Sequence, residues 1–418
     1  MIITRISTFS VVFALLALPF QNFSQVTPEL SSWIINQDES TGFNDLPSNV
    51  QSVDYTDTDV FVSCSCIPGY DIGPWVGNPN TPANQDFCFK ITRNPVQSQG
   101  YPTYTSLGHI GVWSNGVSIF NAKDAFSFNN LGVWFQDAYV FEGASFDECL
   151  GHPAGNGEYH HHVNPTCLYD DSDEGNHSPI IGYALDGYPV YGAFAFTNID
   201  GTGEIIRMTS SYALRDITVR ETLPSGFILN QTYFGPEVNS NNPLGNYIED
   251  YEYIAGLGTL DAYNGRFCVT PEYPLGTFAY FVTIDEWHDP VYPYSIGPAY
   301  FGIVQSGNTG PQSAHNIIPD NSVHYDPAAS VLTPFNVEHS FALFPNPASL
   351  MLNISVRNSN EIMSDLVVTD LLGNLILSQA ISTLSTRNLY QINTSNLPTG
   401  FYFVTIGGGT RKFQIIRE

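Results

Sequence analysis

Histidine is concentrated in one short segment of this chain. Five of its ten histidines lie within residues 152–177, and three of them are consecutive. If these three belong to a β-strand, side chains alternate between two faces, so His160 and His162 share one face with Glu158. Two imidazoles at positions i and i+2 can chelate one transition-metal ion. The spacing therefore predicts a metal site.

A closed metal site requires three or four ligands, and the strand supplies two. The nearest further histidines are His152 and His177, and Glu158 is a candidate to ligate the ion or to orient an imidazole. Imidazole ligands favour copper or zinc, because oxidised cysteines offer no thiolates. Two alternatives need no metal. The consecutive histidines form an exposed strand, or they are buried and hydrogen-bonded to backbone carbonyls.

Carboxylates and aromatic residues suggest other function classes. A carbohydrate-binding or glycan-cleaving protein would use paired carboxylates such as Glu158 and Asp186 beside an aromatic groove. A non-catalytic surface adhesin would need only an acidic surface and disulfides, and it predicts no pocket. Asp186 also has a local interpretation, because Asp-Gly is a common turn sequence. In a chain with 28 Phe and 24 Tyr, the groove tryptophans are more typical of a core; they are Trp75, Trp113, Trp134 and Trp287.

Several common chemistries are disfavoured. Residues 170–174 and 198–204 cluster hard oxygen ligands, but neither segment matches an EF-hand loop, so calcium is a weaker candidate than copper or zinc. The chain has no Gly-x-Ser-x-Gly motif, no phosphate-binding loop and no His-Glu-x-x-His helix, which argues against several hydrolase and nucleotide-binding classes. With 13 Lys and Arg against 40 Asp and Glu, the net charge of -27 disfavours nucleic acid as a partner.

The elements that position these residues are expected to be strands. The 35 Gly and 28 Pro separate short aromatic and β-branched clusters, and helical periodicity is hard to find. Asn115-Gly116 and Asp186-Gly187 each lie between apolar runs, which predicts hairpins with tight turns. We therefore predict an all-β, mostly β-rich body.

An ungapped shift of 119 residues suggests that this body is duplicated. In the second copy, Ala279 and Phe281 take the positions of His160 and His162. A framework that exists without these histidines makes a functional role a better explanation for them than a structural one. The shift aligns four pairs of residues: Cys149 with Cys268, Gly157 with Gly276, Tyr159 with Phe278, and Val163 with Val282.

The N-terminus predicts export. Residues 1–24 combine Arg5 with an apolar stretch too short to span a bilayer, which is typical of a cleaved signal peptide. Six cysteines after an export signal predict disulfides, and Cys64 and Cys66 are each expected to pair with another partner. A Cys-x-Cys metal site is the alternative for these two residues. Their pairing is open, since six cysteines allow fifteen connectivities.

Two longer stretches surround the histidine cluster, and they read CLGHPAGNGEYHHHVNPTCLY and HSPIIGYALDGYPVYGAF. They resemble the YHYH family of exported bacterial proteins, over about residues 80–303. The two histidines of the family motif fall on His160 and His162, whereas His161 replaces the second tyrosine of the motif. The resemblance implies a secreted domain over residues 25–306. It brings no settled activity, so the metal site is inferred from the residues alone.

The end of the chain has a different composition. Residues 307–340 gather Gly, Pro, Asn and Ser, which predicts a linker, and residues 341–418 alternate short strands with turns, which predicts a small β-sandwich. The segments FPNP, DLLG and LPTGFYFVTI resemble, in that order, the C-terminal sorting domain of type IX secretion cargo. The resemblance implies passage through the periplasm, the type IX machinery as partner, and a secreted or outer-surface location, usually with the domain removed.

Overall fold

The protein is described by a computed structural model that covers residues 27–310, 313–327, 340–344, 348–357, 363–370, 375–382, 387–406 and 409–417. The predicted signal peptide and parts of the FPNP and DLLG segments lie outside these residues. Within them the chain forms short strands and two short α-helices, which confirms the all-β prediction. None of these helices has the length and apolar character that crossing a membrane requires.

The first part of the chain contains both helices and the first twenty strands. The helices are α1 (Pro28–Ser31) and α2 (Ala138–Glu142). The strands are β1 (Val50–Tyr55), β2 (Asp59–Cys64), β3 (Phe87–Thr92), β4 (Thr103–Tyr104), β5 (His109–Trp113), β6 (Ser118–Phe120), β7 (Lys123–Ser127), β8 (Phe135–Asp137), β9 (His152–Pro153), β10 (Tyr159–His161), β11 (Ile180–Ala184), β12 (Pro189–Tyr191), β13 (Phe194–Phe196), β14 (Ile205–Arg207), β15 (Tyr212–Leu214), β16 (Tyr251–Tyr253), β17 (Gly265–Cys268), β18 (Thr277–Phe281), β19 (Ala299–Tyr300) and β20 (Val323–His324).

Two sheets enclose the main core of this part. One has the strand order β20-β1-β2-β3, and the other has the order β17-β18-β12-β11-β5-β6-β10-β9. Apolar side chains of both sheets form one buried cluster, among them Val62 and Phe89 of the smaller sheet and Val112 and Val190 of the larger one. The larger sheet therefore has a rigid packed support on which side chains can be held in fixed positions.

The two predicted hairpins form in the larger sheet. Asn115-Gly116 joins β5 to β6, and Asp186-Gly187 joins β11 to β12. Gly116 and Gly187 have φ angles of 81° and 91°, a region that favours glycine in tight turns. Both hairpin predictions are confirmed.

The larger sheet consists of two halves with the same arrangement. In the first half β10 runs parallel to β6 and carries β9 at its outer edge; in the second half β18 runs parallel to β12 and carries β17. Strands β5 and β11 pair at the centre. The register of the two parallel pairs agrees too. His161 lies opposite Ile119, the third residue after Gly116, and Tyr280 lies opposite Val190, the third residue after Gly187.

This register makes β18 the counterpart of β10 at the 119-residue shift. The edge strands do not follow it: Arg266, and not Pro271, takes the position of His152. Cys149 precedes β9, whereas Cys268 lies within β17, so the alignment of these two cysteines has no structural counterpart.

Part of the predicted linker packs against the first sheet. β20 pairs with β1, and the amide of Asn316 donates to the carbonyl of Cys88 on β3 at 2.8 Å. The backbone N–H of Lys90 donates to Asn308 Oδ1 at 3.0 Å. Residues 307–310 and 313–327 are therefore bound to the body.

The cysteines are only partly paired. Cys149 and Cys167 form a disulfide, whereas Cys64, Cys66, Cys88 and Cys268 are buried free thiols. The Cys66 thiol donates to the carbonyl of Tyr159 at 3.1 Å. The prediction that Cys64 and Cys66 pair with other partners is wrong, because both serve as small side chains inside the core.

The end of the chain forms two further sheets. Their orders are β21-β22-β25 and β24-β23-β26-β27, and Leu352 and Ile354 of one pack in a single cluster with Val368 and Val404 of the other. The small β-sandwich is confirmed. Its strands are β21 (Ser340–Phe344), β22 (Met351–Arg357), β23 (Met363–Asp370), β24 (Leu375–Ser382), β25 (Arg387–Asn393), β26 (Gly400–Ile406) and β27 (Gly409–Ile415).

Candidate metal centre

Three histidines meet on one face of the first half of the larger sheet. His160 on β10 lies directly opposite His152 on β9, so their side chains are cross-strand neighbours. His162 follows two residues after His160 and returns to the same face, with 4.8 Å between the two ring centroids. One nitrogen from each of the three rings lies within 4.8 Å of the others. Strand pairing and alternation together position the group.

The hydrogen bonds of two rings fix which nitrogen faces the group. His160 Nδ1 lies 3.0 Å from the carbonyl of Glu158, and His162 Nδ1 lies 2.6 Å from the carbonyl of Asn121. A carbonyl only accepts, so we assign the proton of each neutral ring to Nδ1. The Nε2 atoms then carry lone pairs. Such carbonyl partners are the outer contacts that orient metal-bound imidazoles.

His152 also carries its ring proton on Nδ1. Its Nδ1 lies 2.8 Å from Ser145 Oγ, and the Ser145 hydroxyl donates to the carbonyl of Glu142 at 2.8 Å. Ser145 is therefore an acceptor for His152 Nδ1–H. Nε2 of His152 is buried without a hydrogen-bond partner, and it lies 3.7 Å from Glu142 Oε2, the oxygen that also contacts His162 Nε2. A buried nitrogen lone pair without a donor is costly unless a cation or water satisfies it.

The two Nε2 atoms of the strand are at chelating distance. They lie 3.1 Å apart, and each is an acceptor in the assigned tautomers. Two nitrogens bound to one zinc ion at 2.0–2.1 Å, with an angle of roughly 90–110°, are about 2.8–3.4 Å apart. The close approach of two lone pairs is unfavourable by itself and becomes favourable when a metal ion lies between them.

Burial keeps His152 and His160 neutral. Desolvation, followed by the neighbouring imidazoles, lowers the pKa of His160 well below its usual value. Desolvation and His162 lower the pKa of His152 to about 4. Metal binding requires neutral imidazole, so the environment presents the form of the side chain that ligates.

Glu142 is a fourth candidate that the sequence did not reveal. It ends helix α2, whose first residues are capped by the Asp137 carboxylate, which accepts from the N–H of Tyr139 at 3.0 Å. Glu142 Oε2 lies 3.2 Å from His162 Nε2 and 3.7 Å from His152 Nε2. Burial raises the pKa of Glu142, but positive charge on the imidazole side, at His162 first and then at His152, outweighs it and leaves the pKa lowered. A metal ion between the nitrogens would supply the same charge. A carboxylate is thus available beside the three nitrogens.

The group opens into a cleft of about 530 Å³. Its walls are largely apolar, and Phe120 stacks on the ring of His160 with 3.8 Å between centroids. The size is typical of a site for a small molecule. A metal ion held by the histidines would be accessible from this cleft. The adhesin interpretation predicts no pocket and does not account for the cleft. Residues from six segments line it, among them Val76, Asn78, Leu107, Phe120, Lys123, Phe141, Glu142 and the three histidines.

The remaining predicted site residues lie elsewhere. His177 is not brought to the group; its ring packs 5.2 Å from that of Tyr191, and its Nδ1 lies 2.7 Å from the carbonyl of Ser178. Glu158 Oε1 contacts His109 Nδ1 at 2.9 Å, so it is the carbonyl of this residue that supports His160. Asp186 Oδ2 accepts from the hydroxyl of Tyr280 at 2.6 Å.

The features of the alternative functions are also used locally. Glu158 and Asp186 are buried, and neither lines the cleft. Trp113 and Trp134 are core residues, whereas Trp287 is 76% exposed. In the two acidic segments, carboxylates accept from nearby hydroxyls: Asp170 accepts from Ser172, and Asp200 accepts from Thr202. In the described residues, His152, His160 and His162 form the one group with the geometry of a metal site.

The opposite face of the histidine strand is packed, as alternation predicts. His161 is fully buried between Tyr159 and Trp113, at 5.3 Å and 6.5 Å between ring centroids. Tyr159 donates to the carboxylate of Asp147 at 2.9 Å. His160 and His162 are only 3% exposed. An exposed tri-histidine strand is therefore excluded.

Two protein families match separate parts of the chain. The family described as YHYH protein matches residues 88–291, and the secretion system C-terminal sorting domain matches residues 342–416. No curated protein and no solved structure matches it. The sorting domain implies handling by the type IX secretion machinery and export to the cell surface or beyond. The chain is thus an exported YHYH-domain protein with a C-terminal sorting domain.

Proposed function

We propose that this exported protein binds one copper or zinc ion through the Nε2 atoms of His152, His160 and His162. The observation that carries the proposal is the convergence of three buried imidazoles whose Nδ1 atoms already have acceptors. Nitrogen ligands suit copper and zinc better than calcium, which prefers oxygen.

The cleft and Glu142 make this an open site in the proposal. Three protein ligands with a fourth position free for water or substrate are typical of catalytic zinc, whereas structural sites are closed by four ligands. Glu142 has two roles available, as a fourth ligand or as an acceptor for the proton of a bound water. A bound ion supplies charge that polarises a ligand in the cleft.

The test is metal binding by the purified, mature, full chain. The protein is stripped with a chelator and titrated with Zn²⁺ or Cu²⁺ by calorimetry, and bound metal is measured by elemental analysis. We expect one equivalent per chain, and no binding in the double variant His160→Ala, His162→Ala. The variant His161→Leu is the matched control, because it changes the same strand on its packed face.

Three results would contradict the proposal. They are negligible metal in both wild type and double variant, unchanged binding in the double variant, and equal loss in the His161→Leu control. Circular dichroism accompanies each measurement. Loss of metal together with unfolding of the double variant would show a structural ion in place of an open site.

We also propose the processing of the chain. Residues 1–24 are removed as a signal peptide, residues 25–306 form the functional body, and residues 341–418 are the sorting domain. Residues 307–340 connect the two, and within this connection residues 307–310 and 313–327 are bound to the body. Intact-mass analysis and N-terminal sequencing of the exported protein test these boundaries. A mature N-terminus other than Gln25 would overturn the first of them.

A further inference from the structure

A second group of polar residues adjoins the metal-binding candidates through Glu158, whose carbonyl contacts His160 and whose carboxylate contacts His109. His109, at the start of β5, has both ring nitrogens in hydrogen-bond contact. Its Nδ1 lies 2.9 Å from Glu158 Oε1, and its Nε2 lies 2.9 Å from Ser313 Oγ. These residues are far apart in the sequence and come together only in the folded chain. The order serine, imidazole and carboxylate is that of an activated nucleophile with its base and the group that orients the base.

The contacts of Glu158 fix the direction of the hydrogen bonds. Its Oε1 also accepts from the hydroxyl of Ser118 at 2.6 Å, and its Oε2 lies 3.4 Å from the amide nitrogen of Asn156. A carboxylate surrounded by donors is an acceptor for His109, so the imidazole proton is on Nδ1. Nε2 of His109 is then free to take the hydroxyl proton of Ser313.

The backbone holds Ser313 in a sharp turn. The N–H of Ser313 donates to the carbonyl of Gly310 at 3.2 Å, and the N–H of Ala314 donates to that of Gly307 at 2.9 Å. Ala314 has a φ of 59°, a conformation uncommon for residues other than glycine. Its carbonyl accepts from the N–H of Cys88 on β3 at 2.6 Å. A non-glycine residue held in this conformation is a feature that is found more often at functional sites.

Accessibility differs along the group in the order that a nucleophile requires. His109 and Glu158 are buried, and the edges of Phe87 and Phe89 pack against the imidazole at 5.3 Å between centroids. Ser313 is only partly buried. The base is therefore shielded from water, whereas the serine is partly accessible.

We propose that Ser313 is a nucleophile toward carboxylic esters, with His109 as its base and Glu158 as the residue that orients His109. Oγ of Ser313 forms a bond to the ester carbonyl carbon while its proton passes to His109 Nε2. The bond between the carbonyl carbon and the leaving oxygen breaks, and His109 returns the proton to the alcohol. Water, deprotonated by His109, then adds to the acyl carbon. The bond between that carbon and Ser313 Oγ breaks, His109 returns the proton to Oγ, and the carboxylic acid leaves. This proposal does not depend on the metal site.

The test is labelling by a fluorophosphonate probe. It forms a bond between phosphorus and an activated serine oxygen, fluoride leaves, and the serine proton passes to the base. We expect the folded, mature, full chain to be labelled at Ser313, as located by mass spectrometry of peptides. We expect no labelling in Ser313→Ala, a rate lowered at least about 100-fold in His109→Gln, and a rate lowered at least about tenfold in Glu158→Gln.

Two controls separate this role from a structural one. Ser322→Ala changes a serine of the same segment and should leave labelling unchanged. Ser313→Cys supplies a thiol that His109 should activate, so iodoacetamide should alkylate it at least about tenfold faster than in the double variant with His109→Gln. No labelling of the folded wild type, labelling that persists in Ser313→Ala, or equal thiol rates with and without His109 would each overturn the proposal. The rate of Ser313 labelling should be the same in chelator and in excess Zn²⁺. Failure of the serine proposal can therefore be told apart from failure of the metal-binding proposal.

Discussion

The two halves of the larger sheet share a framework and differ in the residues on it. At equivalent positions the first half has His160 and His162, whereas the second has Ala279 and Phe281. The ring of Phe120 stacks on His160 in the first half, and its counterpart Tyr191 stacks on Phe281 in the second, at 5.6 Å between centroids. The framework therefore folds with or without histidine, so the imidazoles are not required to build it.

The edge strands extend this contrast. Opposite Ala279 the second half has Arg266, whose guanidinium lies over the ring of Phe281 at 5.7 Å. Opposite His160 the first half has His152. The same positions thus hold a cation over an aromatic ring in one half and three nitrogen lone pairs in the other. This is the arrangement expected if only the first half accommodates an external cation.

The largest expected effect concerns the disulfide that encloses the histidine segment. Cys149 and Cys167 are 18 residues apart, and the loop that they close contains all three candidate ligands. Closing a loop of this length lowers the conformational entropy of the unfolded chain and thereby adds about 3 kcal/mol to the unfolding free energy. We expect the variant Cys149→Ala, Cys167→Ala to lose about that much unfolding free energy in urea denaturation and to bind metal more weakly.

The matched control for the disulfide is in the other half. Cys268→Ala removes one buried thiol and closes no loop, so its loss of unfolding free energy should be smaller. A double variant no less stable than Cys268→Ala would show that the disulfide contributes little to the first half.

The next effect is stabilisation by metal. At a free metal concentration 100 times Kd, a ligand that binds only the folded state adds about 2.7 kcal/mol to the unfolding free energy. We expect this gain for the wild type with Zn²⁺ or Cu²⁺ and a much smaller gain for His152→Ala, which lacks one nitrogen. Arg266→Ala changes the equivalent position of the second half and should keep the full gain. Equal gains in both variants would contradict the assignment of His152.

A third comparison concerns the hairpin turns. Asp186 is fully buried, and its Oδ2 accepts from both the Tyr280 hydroxyl and the N–H of Gly302. Asp186→Asn places an amide against the Gly302 donor, so we expect a loss of about 2 kcal/mol in thermal or urea unfolding. Asn115, the counterpart in the first half, accepts from the N–H of Val117 at 3.2 Å, and Asn115→Ala should cost about 1 kcal/mol. A reversed order of the two losses would contradict this account.

The sequence predicted those parts of the site that depend on local geometry. Strand alternation placed His160 and His162 on one face and His161 on the other, and the nearby His152 joined them by pairing of adjacent strands. The turn sequences Asn-Gly and Asp-Gly predicted both hairpins because each requires only local chemistry. The 119-residue shift was right for β10 and β18 but not for the edge strands β9 and β17. The connection from β9 to β10 is shorter than the connection from β17 to β18.

The residues that the sequence missed depend on tertiary packing. Glu142 reaches the group from a helix, and Asn121 supports it through a carbonyl that no sequence motif indicates. His177 is close to the cluster in sequence, but it precedes β11, and the path of the chain carries it to the second half beside Tyr191. The pairing of cysteines likewise depends on which thiols the core buries.

His177 provides a pH test of the second half. Burial, followed by the charge of Arg266, outweighs its hydrogen bond to Ser178 and lowers the pKa of His177 to about 4, below the ordinary value of 6.5. Between these values the unfolded chain takes up a proton that the folded protein does not. The unfolding free energy should therefore fall as pH decreases from 6.5 to 4, by at most about 1.4 kcal/mol per pH unit from this group.

The contribution of His177 is isolated by difference. In chelator, the unfolding free energies of wild type and His177→Phe should differ by a constant amount above pH 7. Below pH 6.5 the difference should shift in favour of the variant, because phenylalanine takes up no proton in the unfolded chain. A difference that is independent of pH down to pH 4 would show that His177 is not held neutral by the fold.

The smallest expected effect is at His161, where the two halves differ in a packed position. Its counterpart, Tyr280, has a satisfied hydroxyl, whereas both ring nitrogens of His161 are buried without hydrogen-bond partners. Burial lowers the pKa of His161 to about 3, so the ring is neutral at physiological pH. Replacing unpartnered polar atoms by an apolar side chain of similar size removes their desolvation cost. We expect His161→Leu to change the unfolding free energy by less than about 1 kcal/mol, in the stabilising direction, and to leave metal binding intact. A loss above about 2 kcal/mol would show that these nitrogens are bonded, through buried water, to the polar groups around them.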